Sequence, residues 1–194
     1  ILQGIRGGSY LIEEGLKQPD NEVIRRGWRI VEKNQDRISS LVMDMLTFSK
    51  DREPDLQPGN LDETVADVVE LQQVRAQEAN VALTYHPVPN LPDILYDADL
   101  MHRALMNVVG NAVDACEKRP SGKVDVRVDV AGAEGVVRIT VEDNGEGILP
   151  EDVQKIFSVF ESRKGSRGTG LGLPVSQKIL REHGGDILVE SQRD

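Results

Sequence analysis

Three clusters in the 194-residue sequence hold residue types that do chemistry. Asn107 and Asn111 are four apart, so a helix puts both amides on one face. Amide oxygens are hard donors suited to Mg²⁺, an ion that keeps several waters and bridges to phosphates. Asp143 closes an alternating run with Val137, Ile139 and Val141, and its parity turns it toward the core side, where a carboxylate is costly unless paired. Gly145 and Gly147 follow it and admit close backbone approach, so this acid is suited to accept a hydrogen bond from an exocyclic amine. Gly165, Gly168, Gly170 and Gly172 stand just before a helix, where backbone N–H groups and the helix N-terminus favour phosphate oxygens, with Lys164 and Arg167 as added cations. Taken singly, each cluster has an ordinary explanation: solvated asparagines, an Asp-Asn-Gly hairpin turn, a flexible loop. Taken in order, they supply a metal site, a base-recognising acid and a phosphate cradle, the three parts of one nucleotide site.

The glycine segment is not a P-loop, because no Gly-Lys-Ser/Thr ends it, and it is not a Rossmann turn, because no strand directly precedes it. His183, before Gly184 and Gly185 at a helix end, reads as a cap favourable to the helix dipole. Cys116 reads as a small buried hydrophobe and Trp28 as core. A single cysteine excludes an internal disulfide, and three scattered histidines (His86, His102, His183) show no metal-ligand spacing. A net charge of −10 argues against a protein that wraps nucleic acid, and no run approaches the roughly 18 apolar residues of a membrane span.

The elements that must position these groups can be read from periodicity. Residues 1–51 give two helices broken at Gln18-Pro19-Asp20-Asn21, an antiparallel hairpin. Ile24, Trp28, Val31, Gln35, Ile38, Val42, Met45 and Ser49 form a heptad seam, continued by Leu2, Ile5, Ser9, Ile12 and Leu16. A lone hairpin cannot bury such a seam, so a second copy is its expected partner in a four-helix bundle. Residues 52–60 read as a Pro/Gly linker. Beyond it come a helix capped by Asn60, a strand at 81–85, a helix over 99–117, two alternating strands joined through 132–135, a last helix over 173–183, and a strand starting at 187–189. The second part is α/β, with helices packed on one face of a mixed sheet.

On these residues the sequence resembles the sensor histidine kinases of two-component systems, the nitrogen-regulator type in particular, over nearly the whole chain. Residues 107–115 resemble the family's N-box, 143–147 its first glycine box, 156–160 with 162–165 its phenylalanine box and lid, and 168–173 its second glycine box. The hairpin is similar to the dimerisation and histidine-phosphotransfer domain. The resemblance implies an α/β sandwich of the Bergerat type at 61–194, preceded by the antiparallel helical hairpin. It implies that Asp143 holds the adenine amino group of ATP and that Asn111, assisted by Asn107, holds Mg²⁺. Lys164 would approach the terminal phosphate, and Gly168, Thr169, Gly170, Leu171 and Gly172 would cradle the phosphates, with 148–167 as a mobile lid.

The same resemblance implies an ATP-dependent protein-histidine kinase, cytoplasmic, homodimeric through residues 1–51, that passes its phosphoryl group to a receiver-domain Asp of a response regulator. Direct contact with nucleic acid or membrane is not expected of this part. The family's acceptor motif is His-x-x-Lys-Asn or similar, and Ile1-Leu2 resembles the residues directly after that motif. None of the three histidines fits that context, so the acceptor is expected upstream of Ile1, the chain is expected to bind ATP without phosphorylating itself, and a final strand is expected past its end. The ATP-driven clamps of the gyrase, Hsp90 and MutL type share the nucleotide fold but carry a general-base Glu where this sequence has Asn107.

Overall fold

The computed structural model describes residues 1–49, 53–88, 91–131, 136–161 and 168–193. Helices α1 (Leu2–Lys17) and α2 (Asn21–Ser49) form the antiparallel hairpin. Asp20 starts α2 by accepting the backbone N–H groups of Glu22 and Val23 at 2.9 and 3.2 Å. The helices touch through small residues: a Cβ added at Gly8 would stand 2.7 Å from the Gly27 carbonyl oxygen, and one at Gly27 would stand 2.6 Å from that of Gly8. The expected seam divides accordingly. Ile24 and Val31 face α1 and Ile38 is half-buried, whereas Trp28 is 58% exposed and Leu2, Leu16, Val42 and Met45 are exposed with it. Trp28 is therefore not core within one chain. Close contacts at Gly8 and Gly27, and of Gly4 with Asn34, bring the helices together there and leave Trp28 outward.

Strand β1 (Gln57–Gly59) pairs antiparallel with β3 (Ile94–Tyr96), so the stretch expected as a linker over 52–60 is, from Gln57 on, held to the second unit. Pro58 fits there because an edge strand in a two-stranded ribbon leaves its missing N–H unneeded. Helix α3 (Leu61–Glu78) is capped by Asn60, which accepts the Asp62 N–H at 3.0 Å. Strand β2 (Val81–His86) runs parallel to β4 (Gly122–Ala131), and β4 runs antiparallel to β5 (Val136–Asp143), in the order β2-β4-β5. Between them, α4 (Ala98–Cys116) is capped by Asp97, which accepts the Leu100 N–H at 3.1 Å. Helix α5 (Gly172–Glu182) follows the glycine segment.

The period-two pattern of β4 puts Val124, Val126 and Val128 on one buried face, against Val65, Val68 and Val69 of α3 and Leu105, Val109 and Val113 of α4. Helices thus cover one face of a mixed sheet, as the valine alternation predicts. A smaller cluster of Ala104, Leu171, Val175 and Ile179 joins α4 to α5, and Leu41 of the hairpin packs on it.

Two further expectations are corrected. Residues 187–189 do not form a strand: Leu188 is 90% exposed, and the Ile148 N–H goes to the Ser191 hydroxyl rather than to a ladder carbonyl. Asp143 does not lie in the core: it shares a face with Val137, Ile139 and Val141, which pack on the main cluster, but the strand end carries it out to an exposed position. The turn expected over 132–135 lies outside the described residues.

Candidate functional site

One face of α4 organises the site. Asn107, Asn111 and Ala115 recur every four residues along it and are half-buried, so they line a slowly winding stripe about 12 Å long at 1.5 Å per residue. At one end, Asn107 Nδ2 donates to the Gly172 carbonyl at 3.2 Å, bringing the start of α5 onto the helix. At the other end, Gly145 presses on Ala115: an added Cβ would stand 2.6 Å from the Ala115 Cβ and 2.7 Å from Asp143 Oδ1. Only glycine allows that approach. Asn111 lies between the two contacts. The amide pair, the turn after the strand-end acid and the second glycine segment therefore meet along one face of α4.

At the acid end, the Gly145 N–H donates to Asp143 Oδ1 at 2.9 Å, an Asx turn that commits one carboxylate oxygen. The other has no hydrogen bond among the described residues. Asn144, which the sequence suggests only as turn chemistry, is a clamp. Its Oδ1 accepts the Lys123 N–H at 2.7 Å and the Cys116 thiol at 3.4 Å, and its Nδ2 donates to the Ser121 carbonyl at 2.8 Å. Burial pushes the Cys116 thiol up, with the Asp143 charge adding to it, so this cysteine stays a neutral packing group. Arg119 forks onto the Gly145 carbonyl from Nε at 3.2 Å and Nη2 at 2.7 Å. Nothing in the sequence distinguishes Arg119 from other surface cations after a helix end.

At the Gly172 end, Gly168, Thr169 and Gly170 are half-buried and Leu171 is buried among Ala104, Val175 and Ile179. Gly170 has φ +67, and its carbonyl accepts the Phe160 N–H at 3.0 Å, so its backbone lies directly against that of Phe160, itself at φ 66. Thr169 Oγ1 accepts the Leu171 N–H at 3.3 Å. Unlike α3 and α4, α5 has no side-chain cap. Among the described residues no side chain caps the N–H groups of its first turn, where Pro174 has none, and such a start suits an anion. Gly147, at φ +69, packs on the backbone of Gln192. Lys164 lies outside the described residues.

The remaining candidate groups serve structure. His183 ends α5, donating from Nδ1 to the Ile179 carbonyl at 2.7 Å and accepting the Asp97 N–H at Nε2 at 2.9 Å, a neutral tautomer that ties the end of α5 to the start of α4. No group of three or more His, Cys, Asp or Glu that could hold a metal occurs among the described residues. A cavity of about 460 Å³ lies elsewhere, between Phe48 at the end of α2, Phe157 and Val159, and Pro174, Gln177 and Lys178 of α5.

Sequence also missed the contact between hairpin and groove helices. Arg103, one turn before Asn107, donates from Nη2 to Asp44 at 2.7 Å and from Nη1 to Thr47 Oγ1 at 2.9 Å. Lys178 of α5 donates to the Thr47 carbonyl at 3.1 Å. Burial raises the Asp44 carboxyl above the usual carboxylate range, more strongly than Arg103 lowers it.

Known proteins align with this arrangement. Residues 96–194 match the family of histidine kinase-, DNA gyrase B- and HSP90-like ATPases. The sensory histidine kinase/phosphatase NtrB of Vibrio alginolyticus is 32% identical over a 199-residue alignment that covers 98% of this chain and 55% of the relative. The sensor histidine kinase ZraS of Salmonella typhimurium is 32% identical over 163 residues, covering 84% of this chain and 34% of the relative. The chain thus spans about half the length, or less, of these curated relatives. Full-length ShkA, solved in complex with AMPPNP, is similar with a TM-score of 0.70 at 29% identity, covering 89% of this chain and 37% of that one. The catalytic domain of histidine kinase ThkA gives a TM-score of 0.58 at 28% identity, covering 70% of this chain and 90% of that one. The mixed sheet with its one-sided helices has the Bergerat-type ATPase fold, and the chain belongs to the histidine kinase-, DNA gyrase B- and HSP90-like ATPase family, on its sensor histidine kinase branch.

Proposed function

We propose that the chain is the catalytic core of a sensor histidine kinase that binds Mg²⁺-ATP in the α4 groove. The terminal phosphoryl group goes to a histidine on the helical hairpin and then to an Asp of a response regulator. The observation that carries this reading is the α4 stripe, on which Gly172 meets Asn107 and Gly145 meets Ala115 with Asn111 between them. The donor set fits the ligand. The free oxygen of Asp143 takes the adenine amino group, Asn111 and Asn107 offer amide oxygens to Mg²⁺, and the uncapped start of α5, with Gly168 to Gly172, faces the phosphates. Bound Mg²⁺ supplies neutralisation of phosphate charge. The transfer forms a P–N bond to imidazole and breaks the P–O bond to the leaving ADP, a step that asks of the protein mainly positioning and charge.

The exposed apolar side of the hairpin, Leu2, Leu16, Trp28, Val42 and Met45, supports dimerisation through residues 1–51, and the ATP-binding domain is assigned to 61–194, in the cytoplasm as in the family the sequence resembles. Lys164 is kept as the cation for the terminal phosphate. His86, His102 and His183 all lie outside the hairpin, so this chain binds ATP without labelling itself. The clamp-type ATPase reading is disfavoured because Asn107, whose amide donates to Gly172, cannot take a proton from water.

Titration calorimetry with ATP, with and without Mg²⁺, tests the site. Asp143→Ala is expected to abolish measurable binding, and Asn111→Ala to remove the Mg²⁺-dependent part. Wild-type affinity in both variants would refute the assignment.

A further inference from the structure

The turn after β5 is held twice over, and the two holds differ in what they fix. Asn144 ties the turn to the end of α4 and the start of β4 through Ser121, Lys123 and Cys116, enough to keep the strand end in place. The Arg119 side chain holds a different atom. Its guanidinium grips the carbonyl of Gly145, the residue whose N–H holds Asp143 Oδ1. Gly145 has no side chain, so its two dihedrals are the softest in the turn. Pinning the N–H side leaves the carbonyl side free to rotate unless something fixes it. The half-buried Arg119 does so with two donors, while Ala115 blocks movement toward α4. Arg119 itself is placed by its backbone N–H, which bonds the Cys116 carbonyl at 2.8 Å.

We propose that Arg119 is a positioning residue for purine recognition: by fixing the Gly145 carbonyl it orients the Asp143 carboxylate toward the exocyclic amine of adenine. This rests on Asp143 being the adenine-holding residue. A merely structural arginine would cost stability and weaken every nucleotide alike. A positioning arginine costs the one hydrogen bond that separates adenine from a purine without the amine.

The test uses the 194-residue chain and two ligands, Mg²⁺-ATP and Mg²⁺-inosine triphosphate, which differ at that amine. Wild type is expected to prefer ATP by about tenfold or more, the value of one hydrogen bond to a charged group. Arg119→Ala is expected to shrink that preference to about twofold, chiefly through weaker ATP binding, with the thermal midpoint of the nucleotide-free chain nearly unchanged. Arg119→Lys, which keeps a single donor site, should recover part of the preference. An undiminished preference in Arg119→Ala, or equal losses for both ligands, would overturn the proposal. Should the alanine variant not fold, the lysine variant decides alone: a reduced preference supports the proposal and a wild-type preference refutes it. Failure of the underlying reading looks different, since Asp143→Ala would then keep the wild-type preference, or wild type would show none.

Discussion

Arg103→Ala tests the join between hairpin and nucleotide helices. The Asp44 side chain is 4% exposed and that of Arg103 19%, so the pair sits largely out of water. Truncating the arginine leaves the carboxylate buried without its cation or its 2.7 Å donor, and removes the 2.9 Å bond to Thr47. Breaking a buried pair from one side costs about 3–5 kcal/mol. A limit comes from protonation: neutralising an ordinary carboxyl at pH 7 costs about 4 kcal/mol, and less here because burial has already raised the Asp44 carboxyl. The expected loss is therefore about 3 kcal/mol, a large part of the roughly 5–15 kcal/mol that holds a domain folded. Urea unfolding at pH 7, followed by Trp28 fluorescence and by far-UV circular dichroism, measures it. Replacing both partners, as in Asp44→Leu with Arg103→Met, should recover to within about 1 kcal/mol of wild type, because no buried charge then remains. A single variant within about 0.5 kcal/mol of wild type, or a double variant as unstable as the single, would refute the reasoning.

Asp44→Asn probes the same carboxyl through pH. Burial raises its folded value above the ordinary 3.8, so the native state holds the proton more tightly, and the stability this contributes is present below 3.8 and lost as pH rises through the raised folded value. The penalty of Asp44→Asn, measured by urea unfolding from pH 3.5 to pH 7, should shrink as pH rises; a penalty that grows would contradict the assignment of cause. Phe160 has φ 66 and its side chain is 68% exposed, so it bears left-handed strain with little burial in return. Phe160→Gly is expected to stabilise the chain by about 1 kcal/mol, read from the same unfolding curves, whereas destabilisation would mean that the side chain packs.

How much of this was legible depended on whether the signal was local. The valines of β4 and the apolar stripe of α4 repeat within a few residues, so period alone located both elements and their buried faces. The candidate site could be proposed from sequence because its parts lie in short segments, Asn107 to Asn111, Asp143 to Gly147 and Gly168 to Gly172, and the contacts Asn107–Gly172 and Gly145–Ala115 bring those segments to one helix. Parity placed Asp143 on the correct face of β5 but could not say that the strand ends there and leaves the acid exposed. Pairings between distant segments were not legible. Gln57–Gly59 looked like linker because its partner, Ile94–Tyr96, is as short and lies beyond a whole helix and strand. Arg119, Arg103 and Asp44 have no period and no motif, and each acquires its role only when the fold brings it to a distant carbonyl or charge.

The arrangement of these distant contacts has a consequence for how the two units work together. Arg103 reaches the Thr47 hydroxyl from α4, and Lys178 reaches the Thr47 carbonyl from α5, so both helices are anchored on one residue in the last turn of α2. Those helices also meet at the Asn107–Gly172 bond, and between anchor and bond lies the small core of Ala104, Leu171, Val175 and Ile179, with Leu41 of the hairpin packed on it. Close-packed interiors transmit small displacements rather than absorbing them. A shift or rotation of the end of α2 therefore bears on the spacing of α4 and α5 before it bears on the sheet. The turn after β5, held by Asn144 and Arg119, meets the other end of α4, about 18 Å from Arg103 at 1.5 Å per residue.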